Sequence, residues 1–340
     1  MPAMSDTSPA QKHPYDALTP DLILDAVDQT GLRSDGRLLA LNSYENRVYQ
    51  VGVEDGTPVI AKFYRPGRWS RAAILEEHAF TLELAEAELP VVPPLKDAHG
   101  ETLHEHGGFL FSVSARQRGR APELDQRDTL EWMGRFIGRI HAIGALRLFE
   151  HRPTLDVRTF GDEPFAFLLD GDFIPPDLLP AYESIARQVL AQARGCFDRA
   201  GNVAQIRLHG DCHASNVLWD DGPHFVDLDD ARNGPAMQDL WMLLSGEREQ
   251  MQLQLSAVLR GYREFYDLDP RELHLIEALR TLRLIHYSGW LARRWDDPAF
   301  PHNFPWFNTQ RYWQDQILAL REQSALMDEP PLTVSRELID

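Results

Sequence analysis

From Thr19 the sequence DLILDAVDQTGL places apolar residues three and four apart and stops at Gly31, which predicts an amphipathic helix. The period then shortens to two. LLALNSYENRVYQVGV and PVIAKFY flank Glu54-Asp55-Gly56, the pattern of a β-hairpin around an Asp-Gly turn. Residues 70–88 return to a period near 3.6 and predict a second helix. LPVVPPL reads as an extended connector, because each proline removes a donor and restricts the residue before it. GGFLFSVSA (107–115) reads as another strand, and ARQRGRAPEL (115–124) as a short polar crossover. Beyond it Leu130, Met133, Ile137 and Ile140 keep one helical face apolar, and similar spacing recurs near 181–198, 236–262, 271–295 and 309–326. Two short strands, QIRLH and HFVDL, lie within this helical part, joined by an irregular segment. The expectation is an α+β chain of two lobes: a flexible arm (1–18), a β-rich N-lobe (19–114), a mainly helical C-lobe (115–331) and a tail (332–340). The connector between the lobes falls near 112–122.

Composition narrows the classes. The chain has 340 residues, 34 Lys and Arg against 52 Asp and Glu, and a formal net charge of −18. Such a balance argues against unspecific binding to nucleic acid or anionic membranes, and it suits cationic or weakly charged partners. No run of 18 apolar residues offers a membrane span, and MPAMSDTSPAQKHPYDAL lacks the apolar stretch of a secretory signal. A cytoplasmic monomer is expected. Cys196 and Cys212 form no disulfide framework or metal motif, and no redox switch is expected of Cys212. Only Lys12, Lys62 and Lys96 are lysines, so any retained lysine needs a reason.

The strongest chemical signal is LHGDCHASNVLWDDGPHFVDLDDA, residues 208–231. It spaces His209, Asp211 and Asn216 as H-x-D-x-x-x-x-N and ends an apolar strand at Asp227. Phosphoryl transfer needs positioning and charge neutralisation more than covalent steps. Asp211 would orient the acceptor hydroxyl and take its proton. Asn216 and Asp227 would hold Mg²⁺, an ion that takes one or two carboxylates beside substrate oxygens. His209 is expected to brace the loop, and Asp229 and Asp230 to be ordinary strand-end charges. Lys62, in the strand PVIAKFY, would contact the ATP phosphates and pair with Glu77 or its neighbour Glu76 on the following helix. In LNSYENRVYQV no G-x-G-x-x-G occurs, and Ser43 and Asn46 are the candidates to cover the phosphates. Asp239 is expected as a helix cap or a brace for the catalytic loop. RRWDDPAFPHNFPWF (293–307) reads equally as an acceptor-site lining or as an anchor on the C-lobe.

HGDCHASN with FVDLDDA resembles the motif pair shared by aminoglycoside phosphotransferases, choline kinases and homoserine kinases, which have protein-kinase-like folds. LNSYENRVYQ, AKFYRP with ILEEH, FVDLDDARNGPAMQDLWMLL and RRWDDPAFPHNFPWF are similar, more specifically, to the bacterial stress response kinase A family of serine/threonine protein kinases. These stretches lie between Leu41 and Phe307, and the resemblance extends over nearly the whole chain, from about residue 19 to 331. The resemblance implies a two-lobed protein-kinase-like fold, Mg²⁺ and ATP as cofactor and co-substrate, and protein substrates phosphorylated on Ser or Thr in a cytoplasmic stress response. It implies Asp211 as proton acceptor, Asn216 and Asp227 as Mg²⁺ ligands, Asp227 also as an active-site residue, Ser43 facing ATP, and Lys62 on its phosphates. The chain departs from eukaryotic protein kinases in having HGD, DLD and no A-P-E motif, so a long activation loop is not expected.

Four other readings compete. A small-molecule hydroxyl kinase uses the same catalytic residues, and a non-catalytic nucleotide-binding scaffold would not need them all. A phosphatase reading of Asp227-Leu228-Asp229 lacks a later lysine, since none follows Lys96. A zinc site at His209 and His213 lacks the helix turn such a pair ligates from. The connector near 112–116 is expected to supply the adenine contacts through its backbone.

Overall fold

The structure, a computed structural model, describes residues 13–54 and 56–334. Thr19 accepts a hydrogen bond from the Leu22 N–H and Pro20 stands at the first helical position, so α1 (Pro20–Gln29) starts with its orphan donors satisfied. It packs Ile23, Ala26 and Val27 on a sheet of β1 (Ser34–Ala40), β2 (Arg47–Val53) and β3 (Val59–Phe63). Helix α2 (Arg71–Glu86), capped by Ser70, precedes β4 (His104–His106) and β5 (Phe109–Ala115). The strand order is β1-β2-β3-β5-β4, with every neighbour antiparallel. In β3 the alternation of Val59, Ala61 and Phe63 seats the strand on the core beneath α1. The same period turns Lys62, paired with Val48 and Ser112, to the opposite face.

The second lobe is helical, with two short β pairs. Its helices are α3 (Arg127–Gly144), α4 (Glu163–Asp170), α5 (Leu179–Ala200), α6 (Met237–Trp241), α7 (Arg248–Tyr262), α8 (Ile276–Ala292), α9 (Ala299–Asn303) and α10 (Gln310–Met327). Helices α3 and α7 cross where glycines remove side chains. A Cβ on Gly134 would lie 2.0 Å from the Val258 carbonyl oxygen, and one on Gly261 would lie 2.0 Å from that of Glu131. Strand β6 (Ile206–Leu208) pairs with β9 (Arg232–Gly234), and β7 (Val217–Trp219) with β8 (Pro223–Phe225). The apolar pattern therefore located both strands, but not their partners.

Several expectations change. Residues 13–18, placed in the flexible arm, include a short 3₁₀ turn (Pro14–Ala17) whose Tyr15 is buried and stacks on Phe109 with 5.9 Å between ring centroids. Residues 1–12 of that arm and 335–340 of the tail lie outside the described residues, as does Asp55 of the predicted turn. The single helix expected over 236–262 breaks into α6 and α7 around Gly246, whose φ of +83° suits only glycine without strain. The strand expected to end at 115 is β5, so the connector starts beyond Ala115, and Arg120 bridges it to Trp219 of β7. Cys196 and Cys212 are buried, and burial pushes both thiols up, that of Cys212 well above its usual range.

Glu272 sits buried in the turn before α8 and accepts the Met237 N–H at 2.8 Å. Burial raises its carboxyl to about 8. A carboxyl raised in the folded state binds its proton there while the unfolded chain releases it near 4.5, so this contribution to stability falls as pH rises from about 4.5 to 8. Thermal unfolding of Glu272→Gln is expected to lose that part of the pH dependence and to exceed wild type in midpoint at pH 8–9. An identical slope in both proteins would mean that Glu272 is not held protonated.

Candidate active site

The turn after β6 carries Asp211. Gly210 has φ +85°, and a Cβ there would lie 2.2 Å from the Asp230 carbonyl oxygen, so the turn requires glycine. Asp239, fully buried, accepts the His209 N–H at 2.8 Å and the Gly210 N–H at 2.9 Å, and its Oδ2 lies 3.1 Å from His141 Nε2. His209 Nε2 lies 3.0 Å from the Val226 carbonyl oxygen. The expectation of a brace holds for both residues, and Asp239 fixes the loop through the backbone rather than by capping a helix.

Asp211 is held from three sides. Arg283 Nη1 lies 2.8 Å from its Oδ1, His213 Nε2 lies 3.3 Å from its Oδ2, and Asn216 Nδ2 donates to its carbonyl oxygen at 2.9 Å and to Oδ2 at 3.3 Å. Burial favours the neutral acid, but His213 and Arg283 outweigh it and hold the carboxyl below its usual range. Asn216 spends its amide N–H groups on Asp211, and its side-chain oxygen accepts no hydrogen bond among the described residues.

Asp227 follows β8 with φ +59° and ψ +60°, a left-handed conformation uncommon outside glycine. Its side chain is 54% exposed, and Oδ1 lies 3.5 Å from Lys62 Nζ. Lys62 also lies 3.6 Å from Asp229 Oδ1. Burial favours the neutral amine, yet Tyr64, Glu77, Asp229 and Asp227 together raise the ammonium well above its usual range, so it stays charged. Confinement in the cleft pushes the Asp227 carboxyl up, with Lys62 opposing and Asp229, Asp230 and Glu77 reinforcing.

Three expectations are corrected here. Lys62 makes its ion pairs with Asp227 and Asp229; Glu77 is buried on α2 beyond pairing distance and influences it only through its charge. Glu76 is excluded as the partner, because it accepts the backbone N–H groups of Glu150, His151 and Arg152. Asn46 is not a phosphate cover: it is buried, donates to Asp229 Oδ2 at 3.1 Å and accepts the Arg65 N–H at 3.1 Å. Ser43 stands half-buried in the loop between β1 and β2. Asp229, taken as an ordinary charge, is a buried hub that binds Arg68, Lys62 and Asn46. Arg283, Arg68 and Arg152 had no local sequence signal, since their partners lie far along the chain.

The segment 293–307 ties the lobes together at one end and packs on the C-lobe at the other. Asp297 accepts Arg47 at 3.0 Å and Arg65 at 2.7 Å, and Glu45 pairs with Arg65, Arg68 and Arg294. Both carboxylates join the N-lobe to the end of α8. The apolar half of the segment, Phe300, Phe304 and Phe307, packs with Trp290, Tyr312 and Trp313.

Among the described residues no three His, Cys, Asp or Glu side chains converge as a preformed metal cage. The donors nevertheless suit Mg²⁺, which keeps water and substrate oxygens in its shell. Asp227 opens to the cleft, Asp229 Oδ1 is buried without a hydrogen-bond donor, and the Asn216 oxygen is uncommitted. Asp227 and Asn216 would hold the ion.

The sequence profile of the phosphotransferase enzyme family matches residues 37–276. Stress response kinase A of Escherichia coli strain K12 is 46% identical over 321 residues, which cover 94% of this chain and 97% of the relative. Serine/threonine protein kinase RdoA of Salmonella typhimurium is 44% identical over the same shares. Among solved structures, an amicoumacin kinase in complex with AMP-PNP, Ca²⁺ and Ami superposes with a TM-score of 0.68 at 19% identity, covering 90% of this chain and 93% of that one. A microcompartment-associated aminopropanol kinase does so with a TM-score of 0.68 at 15% identity, covering 89% and 95%. At these identities the likeness is one of fold, and it agrees with the two-lobed kinase-like architecture expected from the sequence.

Asp239→Ala is expected to leave two buried N–H groups and His141 without their acceptor, at a cost on the order of 3 kcal/mol. Asp239→Asn, which keeps one oxygen, should cost less. Equal midpoints for Asp239→Ala and wild type in urea unfolding would remove the brace.

Proposed function

Because the chain belongs to the phosphotransferase enzyme family, and within it to the stress response kinase A family, we propose that it moves the γ-phosphoryl group of ATP to serine and threonine hydroxyls of proteins. The observation that carries the reading is the Asp211 carboxylate, held ionised in a turn whose neighbour Asn216 and facing residues Asp227 and Lys62 supply the other parts of a phosphoryl-transfer site. The relatives' names supply the protein acceptor and the stress-response setting.

Asp211 accepts the proton of the attacking hydroxyl, and Arg283 and His213 fix the direction in which its oxygens face. Lys62, kept cationic among carboxylates, exchanges part of its pairing with Asp227 for the inner phosphates. Asn216 and Asp227 would hold Mg²⁺, which would neutralise charge on the phosphate oxygens there. Ser43, in the loop between β1 and β2, is assigned to the cover over the phosphates. The backbone near 112–116 is assigned to the adenine. No helix among the described residues is long and apolar enough to cross a membrane. We place the enzyme in the cytoplasm, acting as a monomer.

Intact mass after incubation with Mg·ATP and a generic Ser/Thr protein substrate tests the reading. Wild type should add phosphate to itself or to the substrate. Asp211→Asn should lower the rate by about 10²–10⁴-fold while ATP still binds, and Asp227→Ala should abolish transfer. ATP consumption that appears only with amino alcohols or sugars would move the assignment to a small-molecule kinase. Unchanged transfer in Asp211→Asn would remove Asp211 from the chemistry.

A further inference from the structure

Next to the site, and sharing none of the residues assigned to the nucleotide or to the metal, lies a cavity of about 600 Å³. Its walls come from the β3–α2 loop, the chain just after Asp227, the start of α4 and the end of α8. In a protein of net charge −18, this cavity is lined by five arginines: Arg65, Arg68, Arg232, Arg293 and Arg294. Three carboxylates share the lining, Glu163, Asp230 and Asp296.

Four of the five arginines are already paired. Asp230 is divided between Arg68 at 2.8 Å and Arg232 at 2.6 Å, Arg68 also meets Asp229, and Arg65 and Arg294 share Glu45, with Asp297 beside Arg65. The unmatched charge is that of the fifth. Glu163 is engaged by Arg158. Arg293 is exposed and has no ion-pair partner among the described residues; it lies over the Phe167 ring at 5.2 Å. Burial, reinforced by neighbouring guanidiniums, holds Arg232 and Arg294 below their usual range. His286 also lines the cavity, stacked on Phe160 with centroids 4.0 Å apart. Burial, then the charge of Arg232, lowers it to about 3, so the ring is neutral and has an N–H to donate.

Position gives the cavity its role. Arg283, which holds Asp211, is one helical turn before His286 on α8, and Asp230 and Arg232 continue the chain from Asp227. A group bound among these arginines would lie between the chain that follows Asp227 and the helix that carries Arg283, the residue that holds Asp211. A phosphoryl group carries nearly two negative charges and three acceptor oxygens, the complement of clustered guanidiniums. The volume exceeds that of a bare ion and accommodates the group with its ester arm. We propose that this cavity binds a phosphate monoester already carried by the acceptor, so that the enzyme prefers substrates phosphorylated close to the hydroxyl it modifies. The inference rests on the kinase reading above and gives it a substrate class. It replaces the cationic acceptor that the net charge suggested, because the unpaired side chain at the cavity, Arg293, is itself a cation.

Two measurements test it. Protein saturated with Mg²⁺ and a non-hydrolysable ATP analogue is titrated with O-phosphoserine and with serine, using the fluorescence of Trp69 and Trp290, which line the cavity. Saturable binding of O-phosphoserine alone is expected, weakened about tenfold or more in Arg293→Glu and in His286→Phe. Circular dichroism confirms that both variants are folded. No saturable binding, or binding untouched by either substitution, would overturn the proposal. The second measurement compares kcat/KM for peptides that differ only in whether one serine within four residues of the acceptor is phosphorylated. A preference for the phosphorylated member, reduced in Arg293→Glu, supports the proposal. Equal use of both peptides overturns it and leaves the protein-kinase reading standing. Transfer to glycerol 3-phosphate but not to glycerol or to any peptide would keep the phosphate site and discard the protein acceptor.

Discussion

The cleft is organised by the need to neutralise one buried carboxylate. Asp229 is 5% exposed at its side chain, and a lone charge at that depth is strongly disfavoured. Lys62 reaches it from the sheet, Arg68 from the loop that follows β3, and Asn46 from the β1–β2 turn. Arg152 adds a hydrogen bond to its backbone oxygen from the other lobe. The anion thereby draws three segments of the N-lobe onto the chain that holds Asp227. Burial alone would raise its carboxyl, but Arg68 and Lys62 bring it below its usual range, so it remains an anion. Removing any one partner leaves the others facing an incompletely matched charge, which is why such clusters are costly to break.

Two further carboxylates do the same at the outer edge. Glu45 collects Arg65 and Arg68 of its own lobe and Arg294 of the other, Asp297 of the C-lobe collects Arg47 and Arg65 of the N-lobe, and the Trp290 indole N–H donates to Glu45. The turn that carries Ser43 is thus tied to the end of α8 through Glu45, two residues away. Any motion that opens the β1–β2 turn has to exchange these ion pairs for water or for an anion. The lobes and the neighbouring cavity are therefore linked through the same arginines: Arg65, Arg68 and Arg294 belong to both the clamp and the cavity wall.

What was legible in the sequence follows from range. Asp211, Asn216 and Asp227 lie within one short string, so their spacing could be read as a site before any fold was known. Lys62 was legible because it is one of three lysines in a chain that otherwise uses arginine, retained in a half-buried strand. The two-lobed architecture followed from the change of period along the chain. Partner choice was not legible. Lys62 pairs with Asp229 and Asp227 rather than Glu77, and Asn46 braces Asp229 instead of facing phosphate, because those outcomes depend on how the lobes meet. Arg283 reaches Asp211 from a helix whose local pattern shows only an apolar face. The break between α6 and α7 did leave a trace, Gly246, that a helical period running through it obscured.

Net charge is a weaker guide for a related reason. It is a sum over the surface, whereas recognition depends on the potential where groups converge. Thirty-one of the thirty-four basic residues are arginines, and the structure shows what that bias accomplishes. A guanidinium can divide its donors between two acceptors in a fixed plane, as Arg68 does between Asp229 and Asp230, and as Arg65 does between Glu45 and Asp297. An ammonium on a flexible stem would satisfy one acceptor at a time. The single lysine in the cleft stands where compactness matters more than planarity, between two carboxylates that a bound nucleotide would have to share with it. Residue choice at each basic position thus tracks the geometry of its anions, and the acidic total is the background against which a few cationic surfaces become selective.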